Sequence, residues 1–321
     1  MLEKGRLTPT LQSLDYLRKL FWSNPLKYRN HVASNFSKGQ DRAECFMGSI
    51  EFATRSHTDI AMLINDLIER RTALARAAKG GLVVPVGGLF TLTSPTNTAS
   101  THVHVGVPKS ERNRVYENLA YFLPVLCVAS ANSPFSAGKP FGLSYRMASE
   151  GLLGSLRDDR EFRFQDIIIS KRLGTIEIRA FDPIPQMNRL QKILQAIHAI
   201  ASTKKQFPFD KDVYNKERVS WTRIGVTPYV QKLWDEMQTV TPFDIELLKK
   251  PLSLQIGEVA KKHSIEEAYC EIDKIWREPT QTSAILKPYS PVRTITGFAG
   301  YYALRLPFIA IKGYKEWYGK A

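Results

Sequence analysis

The sequence predicts an α+β fold in which the first 185 residues contribute most of a sheet and helices fill the remainder. Short segments of alternating polar and apolar residues lie before residue 185, and helically spaced apolar residues divided by prolines follow it. The 321 residues include 43% hydrophobic and 24% charged residues. This composition is typical of a folded globular protein and excludes disordered, collagen-like and low-complexity classes.

The first elements follow from local patterns. Helical spacing of apolar residues predicts a helix over Thr58–Lys79, which two glycines end. A buried strand is expected at Leu82–Val86, and alternation predicts another strand at Thr101–Val107. Ser110 is expected to cap the next helix, which runs towards residue 131.

The middle of the chain predicts a loop, a hairpin and a helix. Asn132–Arg157 is rich in Ser, Gly and Pro and predicts a long ordered loop, of a kind that is often functional. Phe164–Ser170 and Thr175–Phe181 predict a β-hairpin, and a helix is expected at about Pro185–Lys204. Residues 205–321 are expected to be mainly helical, with breaks at four prolines: Pro228, Pro242, Pro251 and Pro279.

Charge and cysteine usage limit the classes of function. The formal net charge is +14, but the basic residues are interleaved with acidic ones, which favours a solvated basic surface. Nucleic-acid binding stays an alternative without a supporting motif. Three cysteines without a CxxC pair exclude a disulfide framework and a sulfur-based zinc site. With no signal peptide and no membrane-spanning run, we expect a cytoplasmic protein and no membrane partner.

Three predicted strands each carry charged or imidazole side chains on one face. Glu51 alternates with apolar neighbours, His102 and His104 are two residues apart, and so are Glu177 and Arg179. Because side chains alternate with period two, each pair shares a face of its strand. If the three strands belong to one sheet, its polar face presents two carboxylates, two imidazoles and a guanidinium.

This mixture of side chains suits a metal-bound, phosphate-bearing substrate. Mg²⁺ takes carboxylate oxygens together with water and phosphate oxygens, and an arginine binds phosphate or carboxylate with two parallel hydrogen bonds. Two alternatives stay open at this point. A strand that is exposed to water on one face alternates in the same way without any function. A His-x-His pair with a third ligand can also bind Zn²⁺ and activate water for hydrolysis.

Several blocks of the sequence resemble one enzyme family. THVHVGVP at 101–108, ASANSPFSAGKPFGLSYR at 129–146 and TIEIRAFDPIPQ at 175–186 resemble the signature blocks of glutamate–cysteine ligase type 2 and related carboxylate–amine ligases. ECFMGSIEFATRSHTDI at 44–60 and NKERVSWTRIGV at 215–226 resemble an earlier acidic block and a later Arg-Gly block. The resemblance therefore covers residues 44 to 226 in the family's order.

The resemblance implies a fold and a reaction. It implies a glutamine synthetase-like domain over residues 1–321, in which an antiparallel sheet forms a catalytic funnel covered by helices on its outer side. It also implies that ATP and Mg²⁺ bind in the funnel and that glutamate or a similar carboxylate is phosphorylated. An amine such as cysteine then attacks the acyl phosphate to give an amide.

The resemblance also implies roles for individual residues. Four are implied as metal ligands: Glu44, Glu51, His102 and Glu177. Two are implied as catalytic residues that bind phosphate or carboxylate: Arg146 and Arg179. Two more are implied to line the substrate or nucleotide pocket: His104 and Arg223.

The beginning of the chain departs from the family pattern. Family members begin with a strand that carries several glutamates, whereas Glu3 is the one acidic residue within MLEKGRLTPT. We therefore expect the first acidic strand to be missing, which removes metal ligands. A start codon upstream, or a partner subunit or second copy that supplies the strand, would restore the site. The alternative is a catalytically degenerate ligase-like binding or regulatory subunit.

Overall fold

The computed structural model describes residues 2, 4–5, 13–28, 32–35, 49–93, 99–149, 153–303, 306–307 and 310. Its strands are β1 (Val32–Asn35), β2 (Ser49–Phe52), β3 (Val103–Val105), β4 (Phe135–Ser136), β5 (Lys139–Pro140), β6 (Ile167–Ile169) and β7 (Ile176–Ile178). Its α-helices are α1 (Ser13–Ser23), α2 (Pro25–Tyr28), α3 (Ile60–Ala77), α4 (Arg112–Ser130), α5 (Tyr145–Ala148), α6 (Met187–Ser202), α7 (Lys211–Ile224), α8 (Pro228–Met237), α9 (Glu246–Lys249), α10 (Leu252–Lys262), α11 (Ile265–Arg277) and α12 (Pro291–Tyr302). The predicted α+β class is confirmed: the described chain is mostly helical, and its sheets are small and antiparallel.

The chain forms two compact units. The first comprises residues 1–57, 65–83 and 277–321, and the second comprises residues 58–64 and 84–276. This division concerns compactness alone, so a single ligase-like domain over residues 1–321 stays a prediction.

In the first unit, α1 packs against α12. Leu14, Leu17 and Phe21 are buried along one side of α1, at the spacing of an amphipathic helix. Gly297 allows α12 to come close, because a Cβ there would lie 2.5 Å from the backbone nitrogen of Asp15. A two-stranded antiparallel sheet of β1 and β2 belongs to the same unit.

In the second unit, β7 is the central strand of a three-stranded antiparallel sheet with the order β3–β7–β6. Alternation places Ile176 and Ile178 on one face of β7, where both are fully buried, and Glu177 on the other. His104 of β3 and Ile168 of β6 lie opposite Glu177. The predicted hairpin and the predicted strand through His104 are therefore confirmed, although the strands are shorter than expected.

Helix α4 is the core of the second unit. Its residues from Leu119 to Ser130 are all buried, and α6, α7 and α8 pack against it. Two of the four predicted prolines mark helix starts: Pro228 is the first residue of α8, and Pro251 immediately precedes α10. Pro242 lies in the loop after α8, and Pro279 lies in a 3₁₀ turn after α11, so all four interrupt helices. In the part of the chain that the structure describes, no helix combines the length and the apolar character needed to span a membrane.

Two local predictions are wrong. Leu82–Val86 forms no strand beyond one isolated bridge at Leu82, because tertiary contacts shape this apolar run and Pro85 has no N–H for a ladder. Ser110 does not cap α4, because it lies inside a 3₁₀ turn and Glu111 occupies the N-cap position without a side-chain hydrogen bond. Both errors arise where nearby residues override a local pattern.

The long loop and the strand of Glu51 also differ from expectation. The segment Asn132–Arg157 is ordered where it is described, but it contains the β4–β5 hairpin and the short helix α5. Within the described residues, β2 is hydrogen-bonded to β1 and not to β3 or β7. The single sheet that would unite Glu51 with the other polar strands is therefore not formed by the described strands.

Candidate active site

Four predicted site residues lie together on one side of β3 and β7. We call this group the polar face, and its members are His102, His104, Glu177 and Arg179. His104 and Glu177 are direct register partners. Nδ1 of His102 lies 3.3 Å from Oε1 of Glu177, and Nε of Arg179 lies 3.8 Å from the same oxygen. The grouping predicted from alternation is confirmed for these residues, while their chemical roles stay predictions.

The two histidines of the polar face have different surroundings. Desolvation by neighbouring groups and the positive charges of Arg179 and Arg146 lower the pKa of His102 to about 3, although 36% of its side chain is exposed. At pH 7 the ring is therefore neutral and keeps a nitrogen lone pair, which metal ligation requires. His104 is exposed, and its Nδ1 lies 3.0 Å from the hydroxyl oxygen of Thr175.

Arg179 brings a positive charge whose hydrogen-bonding capacity is not filled. Its side chain is 10% exposed, and its Nε is buried without a hydrogen-bond partner among the described residues. The backbone N–H of Arg179 donates to the carbonyl of Asp166 at 2.9 Å. Because arginine stays protonated in proteins, the guanidinium places a positive charge at the polar face, which favours a carboxylate or phosphate group.

Arg163 is a further basic residue near the polar face that sequence patterns did not indicate. It is exposed and lies in the segment that leads to β6. Its charge contributes, after burial, to the lowering of the pKa of both His102 and Arg179. No motif marks Arg163, because its position depends on how the segment before β6 folds back towards β3 and β7.

The guanidinium of Arg146 is buried against the backbone that follows β7. Its Nη1 donates to the carbonyls of Ala180 (2.8 Å) and Phe181 (3.2 Å), and its Nη2 donates to that of Arg179 (3.0 Å). A carboxylate oxygen of Asp182 lies 3.9 Å away. Burial lowers the pKa of Arg146. Substrate binding by Arg146 stays a prediction, and the contacts show that it holds the main chain behind Arg179.

A buried hydrogen-bond network lies beside this segment. The Asn132 side chain accepts from the N–H of Gly87 at 2.9 Å, and the Asn132 N–H donates to Oδ2 of Asp182 at 2.8 Å. Ser133 accepts from the N–H of Gly88 at 2.9 Å. A Cβ at Gly87 would lie 1.9 Å from Oδ1 of Asp182, so a side chain there would collide. The Asn-Ser pair of the resembling block therefore fixes the backbone that follows β7.

No described contact joins Arg223 or Glu51 to the polar face. Arg223 is exposed in the last turn of α7, and its guanidinium lies 4.6 Å from the ring centre of Phe141. Glu51 is exposed on β2 in the first unit, opposite Ala33. Glu44 lies outside the described residues. The roles of all three predicted site residues stay predictions.

A cleft of about 270 Å³ elsewhere in the second unit has charged walls. There, Arg160 pairs with Glu117 at 2.7 Å, and Lys211 pairs with Asp158. A third basic side chain of this cleft, Arg157, lies with its guanidinium 4.1 Å from the ring centre of Phe162. The polar face stays the candidate site because it brings the predicted residues His102, Glu177 and Arg179 together.

Glu177 and His102 fit a magnesium ion that is held mainly by substrate oxygens. In nucleotide sites, Mg²⁺ takes one or two protein carboxylates and completes its shell with phosphate and water oxygens. Among the residues that the structure describes, no three His, Cys, Asp or Glu side chains are grouped so that they could hold a metal. The zinc alternative, which relies on His102 and His104, therefore gains no third ligand from the described residues.

The comparison with known families supports the resemblance over part of the chain. Residues 91–149 match the family model described as Glutamate-cysteine ligase family 2 (GCS2). This stretch includes His102, His104 and Arg146, whereas Glu177 and Arg179 lie beyond it. No curated protein matches the chain. The resemblance is thus confirmed for the segment that carries β3, α4 and the Asn-Ser pair.

Proposed function

We propose, on the premise that residues 91–149 are of the glutamate–cysteine ligase family 2 type, that this chain is an ATP- and Mg²⁺-dependent carboxylate–amine ligase. Its substrates would be glutamate or a similar acid and an amine such as cysteine. The acid would take the γ-phosphoryl group of ATP with release of ADP, and the amine would then attack the acyl phosphate, expel inorganic phosphate and lose a proton to give the amide. The observation that carries the proposal is the convergence of Glu177, His102 and Arg179 on the polar face.

The chemistry of this reaction matches what the polar face offers. Phosphoryl transfer needs positioned oxygens and neutralised charge more than a side-chain nucleophile. Arg179 brings a positive charge that no short ion pair neutralises among the described residues, and Arg163 adds positive charge nearby. Donors that are already in place cost no rearrangement when charge develops in the transition state. The site therefore favours an anionic, oxygen-rich substrate.

Glu177 and His102 would hold the magnesium ion. The neutral state of His102 at pH 7 leaves its ring able to ligate. When bound, Mg²⁺ neutralises charge on the phosphate oxygens and polarises the phosphoryl group. We also propose that β3, β7 and β6 form part of a glutamine synthetase-like funnel.

Ligase turnover tests the proposal directly. The purified chain is incubated with ATP, Mg²⁺, glutamate and a panel of amines that includes cysteine, and ADP and amide products are measured. We expect ADP release that depends on both the acid and the amine. Glu177→Gln should abolish it, whereas Glu258→Gln, at an exposed acid on α10, should retain it.

Two other outcomes are informative. If the chain binds ATP and Mg²⁺ without any turnover, the non-catalytic alternative of a ligase-like binding or regulatory subunit is supported. The family model matches residues 91–149, a stretch that does not include Glu177 or Arg179, so this alternative is a separate hypothesis. Failure to bind ATP at all, with or without Mg²⁺, would contradict the proposal.

A further inference from the structure

Arg146 reaches Arg179 through the main chain. Strand β7 ends at Ile178, and of the next three carbonyls only that of Phe181 has a described backbone donor, the N–H of Thr101 at 3.4 Å. Arg146 donates to all three of these carbonyls. One buried guanidinium therefore fixes the direction of the backbone just after the strand.

The side chain of Arg179 is buried but makes few polar contacts that would fix its guanidinium. Its distance to Glu177 is 3.8 Å, which is beyond a hydrogen bond, and its Nε has no partner among the described residues. Its main chain is held on both sides, because its N–H donates to Asp166 and its carbonyl accepts from Arg146. The placement of the Arg179 guanidinium therefore depends on this backbone anchor.

A second buried arginine shows what the same arrangement does away from the polar face. Arg189 donates to the carbonyls of Ala129, Leu247 and Lys250 at 2.8 to 2.9 Å. None of these residues belongs to the polar face. Lysine cannot reproduce the planar fork of donors at either site. Arg189 is therefore a matched control for Arg146.

We propose that Arg146 is a positioning residue for the ligase reaction, because it fixes the guanidinium of Arg179 beside Glu177. Arg146 acts through the backbone of residues 179–181 and does not touch the substrate. This inference rests on the proposed function and adds to it the residue on which the placement of Arg179 depends.

A double-mutant cycle tests this dependence. Wild type, Arg146→Lys, Arg179→Ala and the double variant are compared by the kcat and KM of ADP release. We expect Arg146→Lys to lower kcat by about 10- to 100-fold, the range that follows from a displaced catalytic group. In the Arg179→Ala background it should cause no further loss, because coupled residues are not additive.

The control separates positioning from the two other roles. Arg189→Lys should lower Tm about as much as Arg146→Lys while leaving kcat unchanged. If Arg146→Lys behaved like Arg189→Lys, its role would be structural and the inference would be wrong. If Arg146→Lys raised KM alone and its effect added fully to that of Arg179→Ala, Arg146 would be a substrate ligand, which also overturns the inference.

A binding experiment keeps the inference distinct from the proposed function. Absence of wild-type turnover would count against the ligase proposal. Calorimetry of pyrophosphate binding to the same four proteins then measures the coupling between Arg146 and Arg179 without catalysis. We expect about tenfold weaker binding for Arg146→Lys and no added loss in the Arg179→Ala background. Additive losses, or no pyrophosphate binding by the wild type, would overturn the positioning role.

Discussion

Two carboxylates of the second unit, Asp166 and Glu177, face arginines in contrasting ways. Both oxygens of Asp166 are bound: Tyr214 donates at 2.7 Å, and Arg218 donates at 2.7 and 3.0 Å. Among the described residues, Glu177 has its nearest basic nitrogens at 3.3 and 3.8 Å. The Asp166 centre is fully buried, whereas 12% of the Glu177 side chain is exposed.

The contrast teaches how the same residue types serve two purposes. A buried ion pair whose hydrogen bonds are all made holds its elements together, and removal of one partner leaves an uncompensated charge. A carboxylate and a guanidinium whose donors and acceptors are unfilled contribute less to folding and can bind an added ligand. The degree of hydrogen-bond saturation therefore separates the structural centre from the candidate site.

The largest expected effect is on stability at the saturated centre. Arg218→Met removes the ion-pair partner of the buried Asp166 and leaves Tyr214 as its donor among the described side-chain hydrogen bonds, which should lower the free energy of unfolding by about 3–5 kcal/mol. Urea denaturation followed by circular dichroism measures the loss. Arg163→Met, at an exposed arginine, should change stability by less than about 0.5 kcal/mol. A loss below about 1 kcal/mol for Arg218→Met would mean that the Asp166–Arg218 pair does not stabilise the fold as proposed.

The reverse pattern is expected at the candidate site. Glu177→Gln should lower kcat for ADP release by at least about 100-fold, a loss of roughly 2.7 kcal/mol in transition-state stabilisation. Because the Glu177 carboxylate makes no short ion pair among the described residues, stability should change by less than about 1 kcal/mol. Kinetics and urea denaturation of the same preparation give both numbers. A large stability loss would make Glu177 a structural residue.

Asp66, in the first unit, is a buried carboxylate that accepts several hydrogen bonds, and it allows the contribution of such a group to stability to be measured against pH. Burial acts to raise the pKa of Asp66, but hydrogen bonds from His57, the Arg55 N–H and Arg70 outweigh it and lower the pKa. A lowered carboxyl pKa stabilises the fold above the unfolded-state pKa of about 3.9, and this stabilisation is lost as the pH falls below that value.

Asp66→Asn should therefore be less stable than wild type by about 2 kcal/mol at pH 7, with the difference shrinking below about pH 4. Urea denaturation at pH 7, 5, 4 and 3 measures this dependence. Asp59→Asn, at an exposed carboxylate that accepts from the Met62 N–H, is the control and should lose less stability at pH 7, because asparagine can make the same cap. A difference that is constant with pH would mean that the Asp66 charge does not contribute.

Alternation along a strand is local, so the sequence predicts which side chains of β3 and of β7 share a face. The pairing of these two strands is non-local and enters the prediction only as a condition. Glu177 and Arg179 are two residues apart on one strand, so their common face follows from strand geometry alone. Non-local packing decides the rest. The partners of Arg146 lie more than 30 residues away in the chain, and the Glu51 strand pairs with β1, a strand that is not predicted from the sequence. Neither leaves a periodic signal in the sequence.

Arg163 gives the smallest expected effect, and it tests whether charge acts at the candidate site without direct contact. Arg163→Ala should raise the KM for ATP by about three- to fivefold with kcat nearly unchanged, because the loss of one exposed charge weakens attraction of an anionic substrate. The effect should disappear at about 0.5 M KCl, where screening shortens the range of charge interactions to a few ångströms. Lys261→Ala, at an exposed lysine of α10, should leave KM unchanged at either salt concentration. A KM increase that persists in high salt would show that Arg163 contacts the substrate directly. The candidate site would then extend beyond β3 and β7 to the segment before β6.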